Sequence, residues 1–277
     1  MGAPRGKRAC RLFAKMGDMP TSLTLDRHLE AIRRSGPALA DRAELAGLDA
    51  PVPTCPDWTI AHLVAHLAMA HRWAAAHVRR DVDREPLDDD VIRTTQPDLV
   101  GYYREEYDGL VRALEAAPAD LDAWVFLNDA PAPREFWARR QAHETTIHAV
   151  DALAGRLGAI PTAAECAIDL ELAIDGIDEL LRGFITRRPS RLYAGKEFTI
   201  LVRPTDHDRA WLVSVSAEPP VTSELHPGTE GAEVAAVFFG TAAQLYVGLW
   251  NRGDEITVEG DQGMLDRWRS AHHIRWG

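Results

Sequence analysis

Cysteine, lysine and long apolar runs are all scarce in this sequence, and each scarcity excludes something. The three cysteines, Cys10, Cys55 and Cys166, form no CxxC pair. The chain is therefore not a disulfide scaffold, and it suits a reducing cytosol. One uncharged run, Val234 to Trp250, raises the question of a membrane span. It is shorter than the ~20 residues such a helix needs, and Gly240-Thr241 and Gln244 interrupt it. A buried strand followed by a helix is expected there instead. Positive charge is also short: 31 basic side chains face 42 acidic ones, a net charge of −11. Residues 1–15 hold Arg5, Lys7, Arg8, Arg11 and Lys15 without an acid, so this leader is +5 and the remainder −16. A body that acidic repels phosphate backbones and argues against nucleic-acid binding. Lys196 is the single lysine outside the leader, while arginine and alanine abound; that bias reflects GC-rich codons and points to a high-GC bacterium.

What is present describes a soluble, cytoplasmic, globular protein. Of 277 residues, 46% are hydrophobic and 26% charged, and this length suits one large domain or two ordinary ones. Residues 1–20 have no apolar stretch long enough for a secretory signal. They are expected to be a disordered leader, with a basic targeting arm as the other reading. From Thr21 to about Arg188 apolar residues recur at helical spacing, predicting amphipathic helices near 24–47, 59–80, 97–117, 134–157 and 162–187. Pro37 is expected to kink or divide the first. Proline clusters separate the rest, with the longest connection around Asp122 to Pro133. Helices of this number and length make a bundle. After Pro189 the texture changes: 198–202, 211–215, 221–225, 234–239 and 256–258 read as strands, while 241–250 and 261–271 read as helices. The fold class is thus α+β, a helical bundle over 21–188 followed by a small α/β domain over 189–277.

The 11 histidines are concentrated. His62, His66, His71 and His77 lie in one predicted helix, and His62, His66, Trp73 and His77 fall within about 60° on a helical wheel. His143 and His148 lie in another helix. There Arg140, Glu144, His148 and Asp151, spaced four, four and three apart, span about 80° and project from one face. Phe136, Ile147, Val150 and Ala154 form the adjoining apolar stripe. Glutamate and histidine four apart can converge on one divalent cation, and a histidine from the facing helix would complete a His₂Glu set with one position open, as in catalytic zinc sites. Arg140 and Asp151 are then candidates to orient the carboxylate and the imidazole from behind. The bland alternative is an Arg140–Glu144 ion pair within a solubilising polar face that binds no metal.

Two stretches carry a family resemblance. Val52-Pro-Thr-Cys-Pro-Asp-Trp-Thr59, followed by His62-Leu-Val-Ala-His-Leu67, and Arg140-Gln-Ala-His-Glu-Thr-Thr-Ile-His-Ala-Val-Asp151 resemble the two signatures of the mycothiol-dependent maleylpyruvate isomerase family of actinobacteria. Gly240-Thr-Ala-Ala-Gln-Leu245 and Val258-Glu-Gly-Asp261, ahead of Trp268, resemble that family's C-terminal domain. The resemblance covers most of the chain after about residue 20. It implies a DinB-like four-helix bundle followed by a sterol-carrier-like α/β domain, and a Zn²⁺ held by His66, Glu144 and His148. His66 occupies the His-Leu position of the motif. His62 stands where the family usually has an acid, leaving it as an alternative ligand or as a capping residue after Thr59. Asp57 stands where the family usually has glycine.

The resemblance further implies mycothiol as thiol cosubstrate, its sulfur taking the open metal position. Bound Zn²⁺ favours thiolate over thiol. The expected activity is that of an isomerase or an S-transferase acting on a small electrophile, with no nucleic-acid or membrane partner. The alternative is a catalytically divergent, metal-binding module that holds a small ligand. Arg72, Arg79, Arg80 and Arg203 are open candidates for a substrate carboxylate. Cys55 stands ahead of a helix start that would lower its pKa, or it packs as a small apolar residue.

Overall fold

The computed structural model describes residues 23–81, 88–225 and 233–272. The leader, expected to be disordered, lies outside the described residues. The chain opens with four long helices, α1 (Leu25–Ala46), α2 (Ile60–Arg79), α4 (Leu99–Ala116) and α5 (Pro133–Leu157), with the short α3 (Asp89–Thr95) between α2 and α4. Helix α1 packs along α5, and α2 packs against both α4 and α5. Local chemistry sets the ends: the Thr24 hydroxyl accepts from Arg27 N at the start of α1, Pro133 stands in the first turn of α5, and Gly158 ends α5 in the left-handed region at φ 68°.

Pro37 does not divide α1, which is one continuous helix across it. The adjoining Gly36 explains how the site is tolerated. The ring of Tyr107 occupies the space a Cβ would fill, and the Tyr103 hydroxyl donates to the Gly36 carbonyl at 3.1 Å. The glycine–proline step is thereby clamped by α4.

Helix α5 is the axis of the bundle. Every residue from Phe136 to Gly155 is buried. An amphipathic helix with one apolar stripe was the expectation; instead the helix is enclosed on all sides, and its polar residues must find partners inside the protein. The segment expected as one helix over 162–187 is broken. It forms α6 (Ala163–Cys166), a left-handed Ala167, and α7 (Leu170–Asp178) capped by Asp169, then continues as a π-helical turn (Glu179–Phe184) and a 3₁₀ turn (Ile185–Arg187). A π-helical turn is rare and tends to occur where function requires it.

The strands are β1 (Phe198–Pro204), β2 (Ala210–Val215), β3 (Val221–Leu225), β4 (Ala236–Gly240) and β5 (Thr257–Gly260), in spatial order β3-β2-β1-β4-β5. Only β1 and β4 pair in parallel, Val202 opposite Phe238; the other pairs are antiparallel. One face, carrying Ile200, Val202, Trp211, Val213 and Phe238, is buried under α7 and two further helices, α8 (Ala242–Leu249) and α9 (Met264–Ala271). Ala173, Ile174, Ile177, Leu180, Leu181 and Ile185 belong to this same core, so α7 and the turns after it pack with the sheet. The architecture is α+β with a helical N-terminal part. Among the described residues, no helix is long and apolar enough to cross a membrane.

Candidate metal centre

The facing of α2 and α5 brings three donors to one point. Nε2 of His66 lies 3.2 Å from Oε1 of Glu144, and Nε2 of His148 lies 3.3 Å from the same oxygen. All three residues are buried, and their donor atoms lie within 4.8 Å of one another. In a tetrahedral Zn²⁺ site with bonds of ~2.0–2.1 Å, neighbouring donors are separated by ~3.3 Å. The donor set and two of its spacings therefore fit zinc.

The opposite nitrogen of each imidazole meets a carboxylate. Nδ1 of His148 is 2.7 Å from Asp151 Oδ2, and Nδ1 of His66 is 3.6 Å from Asp89 Oδ2. Asp151 thus holds a proton on His148 Nδ1 and turns Nε2 towards Glu144 as the nitrogen that a metal would take, the backing that metal-bound histidines receive. Arg140, one turn ahead of Glu144, donates to its Oε2 at 3.1 Å and also contacts Glu179 of the π-helical turn. The outer oxygen of Glu144 is engaged, and Oε1 is the one that faces both histidines.

Burial alone would push the Glu144 carboxyl up; hydrogen bonds from His148 and His66, with the Arg140 charge, hold it well below the usual carboxylate range. Burial likewise opposes ionisation of Asp151, but the Arg252 charge and the His148 hydrogen bond keep it below the ordinary value. For His66 burial acts downward, and Asp89 with Glu144 outweighs it, raising its pKa to about 9.

Two elements outside the signature helices complete the site. The loop between α1 and α2 is closed by hydrogen bonds from Val52 N to Trp58 O and from Trp58 N to Cys55 O, at 3.0 and 2.8 Å. It presents the Trp58 ring stacked on His148, with centroids 5.9 Å apart, and tilted over His66 at 5.0 Å. From the other side, left-handed Asn251 (φ 63°) turns the chain after α8. Arg252 then reaches Asp151, Nε to Oδ1 and a terminal nitrogen to Oδ2, both at 3.2 Å. A cavity of about 570 Å³ opens over the three donors, walled by Trp58, Ile147, Ile160, Phe184 and Trp250.

Other sequence candidates lie elsewhere. His62 is the third residue of α2, and its Nδ1 accepts from Thr59 N at 3.1 Å. It caps the helix and does not join the donor cluster. Arg72 is paired with Tyr102 and Glu106, Arg79 holds the Gly109 carbonyl, and neither these nor Arg80 and Arg203 line the cavity. Cys55 does line it, but burial, followed by the nearby Asp151 charge, pushes its thiol up to about 12. The expected pKa-lowering effect of the helix start does not prevail, because Cys55 stands four residues ahead of Thr59, beside an anion.

A second cluster, His28, His143 and Asp175, has similar spacing. Its shared oxygen, Asp175 Oδ2, already accepts from Arg139 Nε at 3.0 Å, and His143 Nδ1 faces the Tyr246 hydroxyl at 3.0 Å. With the Arg139 guanidinium where a metal ion would stand, the cluster pins α1, α5, α7 and α8 together. Gly176 permits this, since the Tyr246 ring fills the space of its missing Cβ.

Comparison with known families decides the relationship. Residues 29–153 match the mycothiol maleylpyruvate isomerase N-terminal domain, and residues 171–267 match the C-terminal domain of the same family. The chain belongs to this family. A solved structure of the mycothiol-dependent maleylpyruvate isomerase aligns with a TM-score of 0.56 at 18% identity, over 86% of this chain and 93% of that one. A histidine-to-alanine mutant of that isomerase aligns with the same values. No curated protein matches by sequence. Membership in the maleylpyruvate isomerase family accounts for the two signatures. The residues that sequence reasoning missed are Trp58, Asp89, Glu179, Phe184, Trp250 and Arg252. Of these only Trp58 stands inside a quoted motif; the others reach the site through tertiary packing.

Proposed function

We propose that this protein is a zinc-dependent, mycothiol-using enzyme of isomerase or S-transferase type, with His66, Glu144 and His148 as the metal ligands. The observation that carries this reading is the convergence of two imidazole Nε2 atoms on one carboxylate oxygen, each imidazole backed by its own carboxylate, beneath a cavity of ligand size. Bound Zn²⁺ would lower the pKa of a thiol and supply a nucleophile at neutral pH.

The chain's own residues do the remainder. Asp151 holds His148 in the metal-ready tautomer, and Arg140 restrains Glu144 so that one oxygen faces inward. Trp58 covers both imidazoles and keeps bulk water off them. Cys55, the one cavity cysteine among the described residues, has its thiol raised to about 12 and is a poor internal nucleophile. A thiol supplied from outside, a low-molecular-weight cosubstrate, fits this site better than Cys55 does.

The test is zinc content of the purified protein and of His66→Ala and Glu144→Ala, followed by thiol-dependent turnover of electrophiles with and without mycothiol. Near one zinc per wild-type chain, lost in both variants, and turnover only with mycothiol are expected. Near-zero metal in all three proteins would sink the reading. Zinc without turnover would instead mark a small-ligand binding module.

A further inference from the structure

We infer that the electrophile this cavity accepts is uncharged and largely apolar, an aryl, alkyl or ester-bearing compound with one activated carbon, and not a dicarboxylate. The inference rests on the thiol-using reading above and narrows it.

A dicarboxylate needs cations that are free to receive it. Among the described residues two arginines line the cavity, Arg140 and Arg252; the terminal nitrogens of both are committed, and only the buried Nε of Arg140 has no hydrogen-bond partner. Arg140 is fully buried, with its terminal nitrogens on Glu144 and Glu179. Its guanidinium lies over the rings of Phe184 and Trp250, 4.9 and 5.7 Å from their centroids. Arg252 grips both oxygens of Asp151, and its remaining terminal nitrogen donates to the Trp250 carbonyl at 2.7 Å. Turning either arginine toward a substrate would leave a buried carboxylate without its counter-charge.

The balance of charge is also unfavourable for an anion. Glu144, Asp89 and Asp57 line the cavity, while Asp151 and Glu179 stand directly behind the arginines. Among the described residues two guanidiniums stand against these five carboxylates, so a divalent cation with neutral imidazoles would still leave this surround negative by one charge. The walls, by contrast, are apolar: Trp58, Ile147, Phe184 and Trp250 enclose the cavity, and Ile160, 46% exposed, carries this surface to the mouth. Such walls reward burial of apolar ligand surface.

For such a substrate the thiol reaction has two balanced forms. In displacement, a carbon–sulfur bond forms, the carbon–halogen bond breaks, halide leaves with the electron pair and the thiol proton passes to solvent. In addition, sulfur bonds to the β-carbon of an activated alkene, and the α-carbon takes up the proton. Both yield a thioether of the cosubstrate.

The test compares matched ester–acid pairs, dimethyl fumarate with fumarate and methyl 4-(chloromethyl)benzoate with its free acid. The zinc-loaded full chain is used with mycothiol, and each rate is divided by that of the uncatalysed thiol reaction. The neutral member of each pair should show an acceleration at least tenfold above its acid. Ile160→Arg, which places a free cation at the exposed mouth, should narrow that ratio several-fold. Independently of turnover, quenching of tryptophan fluorescence in the metal-free protein should report tighter binding of dimethyl phthalate than of phthalate. Equal or greater acceleration of the diacid, a ratio unmoved by Ile160→Arg, or tighter phthalate binding would overturn the inference while leaving the thiol reading intact. No acceleration of any electrophile by the zinc-loaded protein would remove both.

Discussion

Replacing Asp151 by asparagine keeps the shape of the side chain and removes one charge from the most enclosed part of the site. In the native protein its carboxylate accepts from His148 Nδ1 at 2.7 Å, from the Thr54 hydroxyl at 2.5 Å and from two nitrogens of Arg252 at 3.2 Å. An asparagine has one acceptor oxygen for these four donors. If its amide nitrogen faces His148, Nδ1 must accept, and the imidazole proton moves to Nε2, the nitrogen that should bind metal. If the nitrogen faces Thr54 instead, it opposes the Nε–H of Arg252. Loss of such a backing carboxylate typically weakens metal binding ~10–100-fold, about 1.4–2.8 kcal/mol. Separately, Arg252 loses its counter-charge, and breaking a buried pair from one side costs ~3–5 kcal/mol. The lower end applies here because asparagine retains some hydrogen bonding. Zinc affinity by competition with a chromogenic chelator measures the first effect; urea unfolding of the metal-free protein measures the second. The double variant Asp151→Asn with Arg252→Met should recover much of the stability but none of the zinc affinity. Wild-type zinc affinity in Asp151→Asn would refute the claim that Asp151 sets the His148 tautomer.

Glu179→Gln should weaken zinc binding about tenfold, because Arg140, released on one side, competes more closely for Glu144; chelator competition reads this, and unchanged affinity would show that Glu179 merely packs. Cys55→Ala should retain thiol-dependent turnover, and Cys55 in the native protein should resist alkylation at pH 8, since its thiol is pushed up to about 12; rapid labelling, followed by mass spectrometry, would contradict that. His71 is buried and its pKa falls to about 3, chiefly by burial. Unfolded protein takes up the proton below pH ~6.5 and the folded form does not, so stability declines as pH drops from ~6.5 towards 3, by at most ~1.4 kcal/mol per unit. His71→Leu should flatten the urea midpoint between pH 6.5 and 4, and an unchanged slope would rule out this contribution.

Much of the fold was legible because its signals are local. Apolar periodicity placed the four long helices, and runs of β-branched and aromatic residues placed all five strands. The misreadings share a cause. Helix α5 reads as amphipathic, with one apolar stripe beside its polar residues, yet it is enclosed on all sides and the partners of those residues are supplied by distant elements: Asp175 for His143, Glu179 for Arg140 and Arg252 for Asp151. Burial of a paired charge leaves no periodic trace. The π-helical turn at Glu179–Phe184 was equally hidden, since six residues of ordinary helical composition carry no marker of a wider turn. The i, i+4 relation of Glu144 and His148 was readable within one helix. That His66 faces them, and His62 does not, is a property of how α2 docks on α5, where His62 turns back onto Thr59.

The placement of these charges makes the sheet-bearing part of the chain a participant in the proposed metal centre. Arg252 follows α8 and Glu179 lies in the turn after α7, both packed with the sheet, while the donors they organise stand on α5. Each contact neutralises a charge that would otherwise be stranded in the interior, and each passes to a donor through one intermediate residue, Asp151 or Arg140. A cation that draws Glu144 and His148 into ligand geometry favours the arrangement in which these bridges are closed. By linkage, closed bridges raise affinity for the cation by the same factor. Loss of packing between α7, α8 and α5 would therefore appear first as weaker metal binding, before any donor is altered. The third candidate donor, His66, is backed by Asp89 of α3 and meets this coupling only through its contact with Glu144. The site thus combines one donor set by the bundle alone with two whose geometry depends on how the sheet-bearing part is seated.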